Sequence, residues 1–498
     1  MNARPLSVST PAEQGVDASG IQSFLDAVEA APGIEPHSLM ILRHGRLVAS
    51  GWWAPYAPER PHLLYSLSKS FTATAAGLAA GEGLLDFDDP VIKYFPEFEA
   101  EITDPRSRAM LVRHVASMAS GHLAETNQDA FQRDRVELVR GFLLIPPDRD
   151  PGTVFAYNQP ATYTLATIVQ RVTGLTLTDY LRPRVLDPLG IGEVAWQQRP
   201  AGRDLGFSGL HAPTDAIARL GQLYLQDGVW EGRRLLPSGW VAEATRPHVS
   251  NADGTAEGAE SDWQQGYGFQ FWKSRHGYRG DGAYGQLCLV LPEHDAVIAT
   301  TAATEQMQEL LNLVWRHLLP AFGDTPLSGR DDEALRQRLA GLALPPLTGA
   351  SEPSAQADSW SGARFSPAGP ARADRPKRLT EVLVEAGPNG WILSLDESGA
   401  RLDLRLGEAG WSIGTDDSVP TAVSGGWTDP DTLRVDVLFL ETPHRLAVTC
   451  SLTDRTFTAQ WYTTPLHGGP LTSLRAPSGS GSPSPSGSGV HARPAPDA

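Results

Sequence analysis

The sequence predicts an α+β protein in two parts, an antiparallel sheet flanked by helices with a helical insertion, followed by a small all-β barrel. Two observations carry this. Amphipathic helices and paired β-rich runs stand near both ends of roughly the first 320 residues, around a largely helical middle, so one sheet can be assembled from both ends. Over residues 379–462 the texture changes to short β runs punctuated by turn residues, the pattern of an antiparallel barrel or sandwich.

Behind Asp17, the residues Ile21, Phe24, Leu25 and Val28 fall at i, i+3, i+4 and i+7, which predicts an opening helix with an acidic cap. Runs at 38–43 and 46–52 flank His44-Gly45 and predict a hairpin. A second pair, 286–291 and 296–301, is joined by Pro292-Glu293-His294-Asp295, and Met307, Leu310, Leu311, Val314, Trp315, Leu318 and Leu319 then mark another amphipathic helix. A helix over 331–342 leads into a Pro-, Ala-, Ser- and Gly-rich stretch with a strand at 361–366. Strands are expected at 380–385, 391–395, 400–406, 433–440, 445–452 and 457–462, with loops at 427–433 and 441–445. The Pro/Ser/Gly-rich end predicts disorder. The resulting division is 1–322 for the sheet-and-helix unit, 323–357 for a helix and linker, 358–476 for the barrel and 477–498 for the tail.

Charge narrows the function classes. Among 498 residues, 41 Lys and Arg stand against 58 Asp and Glu, a formal net charge of −17. Such a surface repels polyanions, so no nucleic-acid partner is expected. Neither an apolar leader nor a run of about 18 apolar residues is present, which predicts a cytoplasmic protein with no membrane partner. Cys288 and Cys450 lie in separate apolar runs and read as buried thiols rather than a disulfide. No zinc, EF-hand or other metal-ligand motif occurs, so neither metal nor cofactor is expected. Nothing in the sequence sets an oligomeric state.

Of the 41 basic residues only four are lysines, Lys69, Lys93, Lys273 and Lys377. One of them closes the run Tyr65-Ser66-Leu67-Ser68-Lys69 ahead of an Ala/Leu-rich helix. On the first turn of a helix, Ser66 and Lys69 at i and i+3 face the same space. A partly desolvated lysine is neutral near pH 7 and can take the serine proton; arginine cannot. In a chain that otherwise prefers Arg, a Lys at this position points to chemistry.

Two further stretches belong with it. In Phe155-Ala156-Tyr157-Asn158-Gln159-Pro160, a phenol beside a lysine can act as base and then as acid to the leaving group, with neighbouring amides orienting a carbonyl. Tyr278-Arg279-Gly280-Asp281-Gly282-Ala283-Tyr284-Gly285-Gln286 matches G-x-G-x-x-G but runs into a strand rather than out of one. That order excludes a dinucleotide site and suits backbone N–H groups facing an oxyanion. Gly410-Trp411-Ser412-Ile413-Gly414, with Asp431 and His444 downstream, imitates a nucleophile elbow. No helix can start after it, so it reads as a hairpin feature.

Together, S-x-x-K, a Tyr-Asn element about 90 residues on and a Gly-rich strand beyond resemble the penicillin-recognising serine hydrolases: class C β-lactamases, DD-peptidases and their esterase and D-aminopeptidase relatives. The run Gly83-Leu84-Leu85-Asp86-Phe87-Asp88-Asp89-Pro90 strengthens the likeness, which covers about residues 10–322. The resemblance implies a β-lactamase/transpeptidase-like fold with Ser66 as acylated nucleophile, Lys69 as its base and Tyr157 as proton shuttle. It also implies an oxyanion hole from the N–H groups of Ser66 and Ala283. Asn158 is the nearest match to the family's orienting amide, although Tyr-x-Asn reads Tyr157-Asn158-Gln159 here, so Gln159 stands as the alternative. Where many members have Lys or His in K/H-x-G, this chain has Gly280-Asp281-Gly282, which removes a carboxylate anchor and favours esters or amides without a terminal carboxylate. The second part resembles the lipocalin-like barrels that follow some D-aminopeptidases and peptide-cyclising thioesterases. The expected function is hydrolysis of a small-molecule or peptide-like acyl substrate. Acyl transfer or peptide cyclisation is one alternative and non-catalytic ligand binding another.

Overall fold

Strands β1 (Ile34–Arg43) and β2 (Arg46–Trp52) form the first hairpin, turned by His44 and Gly45, both at positive φ, as a two-residue hairpin loop requires. The computed structural model of the chain describes residues 5–369, 375–388, 390–407, 410–414 and 419–477; the expected tail beyond Pro477 lies outside them. The middle is helical, as anticipated, with a small sheet of β3 (His62–Leu63), β4 (Ala195–Trp196) and β5 (Leu210–Ala212) and a short hairpin of β6 (Val229–Trp230) and β7 (Arg233–Arg234). Then β8 (Trp272–Lys273), β9 (Tyr278–Gly282), β10 (Gln286–Leu291) and β11 (Ala296–Thr304) return beside β1. The result is a six-stranded antiparallel sheet in the order β2-β1-β11-β10-β9-β8, closed from both ends of the unit.

Its central strands read as continuous apolar runs because both faces are covered. Alternate residues feed two cores. Met40 and Leu42 of β1, Cys288 and Val290 of β10, and Val297 and Ala299 of β11 join the core that holds the helical middle. Leu39, Ile41, Leu287, Leu289 and Ile298 point the other way. They pack against α1 (Ala18–Ala30) and the helix that follows β11. The main helices of the middle are α2 (Ser68–Gly81), α3 (Gln159–Thr173) and α4 (Thr214–Leu225), and α5 (Met307–Leu313) follows the sheet. Leu335, Leu339 and Leu342, from the predicted 331–342 helix, join the second core.

Beyond residue 360 come β12 (Ala363–Pro367), β13 (Glu381–Gly387), β14 (Gly390–Asp396), β15 (Arg401–Arg405), β16 (Ser412–Ile413), β17 (Thr421–Asp429), β18 (Thr432–Phe439), β19 (His444–Ser451) and β20 (Thr456–Trp461). They make one nine-stranded sheet, order β15-β14-β13-β12-β20-β19-β18-β17-β16. It is antiparallel except for the parallel pair β12 and β20, and β15 comes back against β17 to leave it nearly closed as a barrel. One expectation fails here. Residues 421–429 are a long strand that the sequence hides behind Gly425-Gly426, and the expected 427–433 loop is only the Pro430-Asp431 turn between β17 and β18. The glycines are there for contact: a Cβ on Gly426 would stand 2.2 Å from the Ala350 carbonyl oxygen.

A similar close approach fixes α2. A Cβ on Gly77 would meet the Trp240 indole at 2.3 Å. Helix propensity favours Ala over Gly by about 1 kcal/mol, but overpacking a rigid buried ring costs about 1–3 kcal/mol. Gly77→Ala should therefore lower stability by up to about 2 kcal/mol in urea titration, with an unchanged m value; a stabilised variant would refute this packing.

Candidate active site

Ser66 lies in the one-turn helix Tyr65–Leu67 that runs directly into α2. Lys69, on the first turn of α2, is 2% exposed. Its amine reaches three oxygens: Ser66 Oγ at 3.1 Å, Gln159 Oε1 at 2.6 Å and the Phe207 carbonyl at 2.8 Å. Three contacts suit both protonation states. The ammonium donates to all three, whereas the neutral amine donates to Gln159 and Phe207 and turns its lone pair to the Ser66 hydroxyl. Burial pushes the lysine down from 10.5 to about 7, with Glu125 and Asp281 opposing the drop. Rings of Tyr157 and Phe207 stand 4.8 and 5.7 Å from the amine and exclude water from its sides.

Tyr157 precedes α3 and stacks on Trp272 with ring centroids 5.3 Å apart, its ring also facing the Lys69 amine. Burial, then the nearby Asp281 carboxylate, raises its phenol well above the ordinary range. The geometry separates the two candidate amides. Gln159 opens α3 with its side chain on Lys69 and its backbone N–H donating to Glu125 at 3.1 Å. Asn158 is fully buried, and its Oδ1 accepts from Thr126 N and Oγ1 at 3.2 and 3.0 Å. Gln159 is thus the amide that faces the serine and lysine, and Asn158 braces the turn behind it.

The Gly-rich segment is itself strand β9, a step earlier than the sequence suggested, and its glycines let it lie on the start of α2. A Cβ on Gly280 would meet Ser70 Oγ at 2.4 Å and Leu67 Cδ1 at 2.5 Å, and one on Gly282 would meet the Leu64 carbonyl oxygen at 2.0 Å. This explains why position 280 carries no cation: its side-chain space is filled by α2. Ala283 follows at the strand end, half-buried beside Tyr65 and Tyr284. On the opposite face of β9, Arg279 and Asp281 form a buried pair at 2.9 Å. Arg279 also donates to the Asp262 carbonyl and to Ser274 Oγ at 2.8 and 2.6 Å.

A cleft of about 900 Å³ opens beside Ser66 and Gln159. Phe131, Tyr163 and Phe207 line it together with Pro465, Leu466 and His467, from the chain that leaves β20. Residues missed by sequence reasoning are those brought in from afar: the Phe207 carbonyl, His467, which bonds Ser208 Oγ at 2.9 Å, and His444, whose Nε2 meets Tyr65 Oη at 2.6 Å. Only the expected 441–445 loop hinted at them; it is a tight turn, with His444 already in β19. The elbow-like set does not assemble: Ser412 is in β16, Asp431 accepts from Ser451, and His444 is held by Tyr65 and Thr463. Both cysteines are free and buried. Among the described residues no side-chain cluster is arranged to hold a metal, and no helix is long and apolar enough to cross a membrane.

A family model described as Beta-lactamase matches residues 21–319. The chain is 29% identical over 323 residues to the 6-aminohexanoate-dimer hydrolase of Paenarthrobacter ureafaciens, covering 58% of this chain and 78% of that protein. It is 27% identical over 290 residues to penicillin-binding protein 4 of Amycolatopsis lactamdurans, covering 49% and 75%. Among solved structures, EstCE1, a hydrolase with promiscuous acyltransferase activity, aligns with a TM-score of 0.50 at 16% identity over 62% of this chain and all of that one, 100%; that likeness is one of fold.

Removing one partner of the buried β9 pair leaves the other charge uncompensated. Arg279→Met should cost about 3–5 kcal/mol in chemical denaturation, and adding Asp281→Leu should restore most of it; equal stability of the single and double variants would show that the pair is not coupled.

Proposed function

The chain belongs to the β-lactamase family, and on that premise we propose that it is a serine hydrolase working through an acyl-enzyme on Ser66. The observation that carries this reading is the buried Lys69 amine, 3.1 Å from Ser66 Oγ and lowered to about 7. Neutral Lys69 takes the hydroxyl proton as Ser66 Oγ bonds to the substrate carbonyl carbon. The N–H groups of Ser66 and Ala283 receive the oxyanion. Tyr157, whose high phenol keeps it protonated, delivers a proton to the departing oxygen or nitrogen as its bond to carbon breaks, and is refilled from Lys69. Water then adds to the acyl group along the same relay in reverse, releasing the acid and free Ser66.

The cleft supports a substrate class. Its walls are apolar and amide-bearing; Arg135 and Arg199 line it, and no described Asp, Glu or Lys does. In a chain of net charge −17, such a lining favours neutral or anionic acyl groups over cationic ones. Lacking a cation at position 280, the site suits an ester or amide with no carboxylate beside the scissile bond. One relative is named for hydrolysis of a 6-aminohexanoate dimer. The volume beside Ser66 also leaves room for an amine acceptor, so acyl transfer is the second reading. In either, the catalytic unit is assigned to 1–322, the connecting helix and linker to 323–357 and the barrel to 358–476. The family match, which ends at 319, and the nine-stranded sheet, which starts at Ala363, support that division.

Intact-mass measurement after exposure to an activated ester should show an acyl adduct that Ser66→Ala abolishes; no adduct with any acyl donor would sink the proposal and favour a binding protein. Added amine diverts product to amide if transfer competes. Because only neutral Lys69 accepts the proton, kcat/KM should rise with pH through an apparent value of about 7. Lys69→Arg should lose about a thousandfold or more in kcat, since guanidinium cannot serve as base; near-normal turnover would remove Lys69 from that role.

A further inference from the structure

We propose that the C-terminal sheet is a working part of the oxyanion hole: His444 and the chain after β20 hold Tyr65 and Tyr284, which adjoin Ser66 and Ala283. This rests on the assignment of those two N–H groups as the hole. Tyr65 immediately precedes Ser66, and Tyr284 immediately follows Ala283. Each is a bulky residue in the left-handed region, at φ +47° and +71°. Such backbone persists only where the surroundings over-determine it. The constraint comes through the phenols. His444 Nδ1 lies 2.9 Å from the Thr463 carbonyl, which makes it the protonated nitrogen and leaves Nε2 as acceptor. Tyr65 therefore donates to His444 Nε2 at 2.6 Å and accepts from the Leu466 N–H at 3.3 Å. Tyr284 donates to the Thr464 carbonyl.

The three rings also lock one another. Tyr65, Tyr284 and His444 stand pairwise edge-on, with centroids 5.7 to 5.8 Å apart. They are 2%, 7% and 0% exposed. With Leu63, the two tyrosines form a small apolar cluster of their own, on which Ala283 packs. The Leu63 N–H adds a bond to the Glu441 carbonyl at 2.8 Å. Every group on the barrel side of these bonds lies beyond the 21–319 span that matches the family. Tyr65 and His444 thus act as positioning residues: they touch no reacting atom but set the direction in which the two amides point. A hole whose donors drift by a fraction of an ångström loses transition-state stabilisation while substrate binding is spared.

The test compares the full chain with Tyr65→Phe and Tyr284→Phe, which keep both rings and remove only the phenol bonds. Each should lower kcat on an activated ester by about tenfold, and together by about a hundredfold, with KM changed less than about twofold. A boronic acid, whose tetrahedral adduct on Ser66 fills the hole, should lose affinity by the same factors. His444→Leu should behave like Tyr65→Phe, and His444→Gln, which restores an acceptor, should recover most of the rate; this pair decides the matter if a Phe variant does not fold. Wild-type kcat and boronate affinity in the Phe variants, or a lower melting temperature with boronate affinity intact, would overturn the proposal. Failure of the wild-type chain to be acylated would overturn the assignment of Ser66 and this inference with it, whereas an active wild type with indifferent variants overturns this inference alone.

Discussion

The constraint on which the site depends is the removal of one ammonium from water. Moving Lys69 from 10.5 to about 7 represents on the order of 5 kcal/mol of lost preference for the charged form. Its surroundings are therefore balanced rather than simply apolar. Two fixed acceptors, Gln159 Oε1 and the Phe207 carbonyl, are good partners for either form, while Asp281 and Glu125 keep the amine from falling further. The unfolded chain binds that proton between about 7 and 10.5 and the folded chain does not. The fold thus gains stability as pH rises across that window and carries the full burden below it. Such a lysine is a cost to the fold, which is why its position in an Arg-preferring chain is informative.

Holding that balance requires backbone to come unusually close. Gly280 and Gly282 let β9 rest on the first turn of α2 with no side chain between, bringing Ala283 to the same place as Ser66. Positive φ at Tyr65 and Tyr284 on either side of this contact costs about 1–3 kcal/mol each. That strain is local, whereas the groups that hold it are remote in sequence: Leu210 of β5 accepts from the Leu64 N–H, and β19 and the 463–466 stretch hold the tyrosines. The Ser66 turn is therefore defined largely by tertiary structure.

The same distinction explains what was legible beforehand. Local signals read correctly: the 3.6-residue period of α1, the His44-Gly45 turn, the paired strands at both ends of the unit and the i, i+3 relation of Ser66 and Lys69. Composition hid β17, because Gly426 admits the 349–350 segment and Gly425, at positive φ, lies against Arg434 of β18, and the two dilute the apolar alternation that marks a strand. Register decided between Asn158 and Gln159: the sequence shows both amides, but only the start of α3 determines which one faces Lys69. The expected 441–445 loop only hinted at His444 and nothing local pointed to His467, since a histidine hundreds of residues from Ser66 acquires meaning only through tertiary packing.

That packing joins the two parts through a shared core and a shared charge cluster. The second core of the first sheet is completed by Ala422, Leu438 and Leu440 of the C-terminal sheet. Across the same boundary Arg445 bridges Glu35 of β1 and Asp436 of β18. Burial alone would raise the Glu35 carboxyl; the bond to His37 and the charge of Arg445 more than offset it and hold the group below its usual range. Without the C-terminal sheet, Glu35 would lose its cation, the second core would lose Ala422, Leu438 and Leu440, and Tyr65 and Tyr284 would lose their acceptors. The barrel therefore completes the core of the first sheet and holds the tyrosines beside Ser66 and Ala283 through one interface, so a substitution there bears on both.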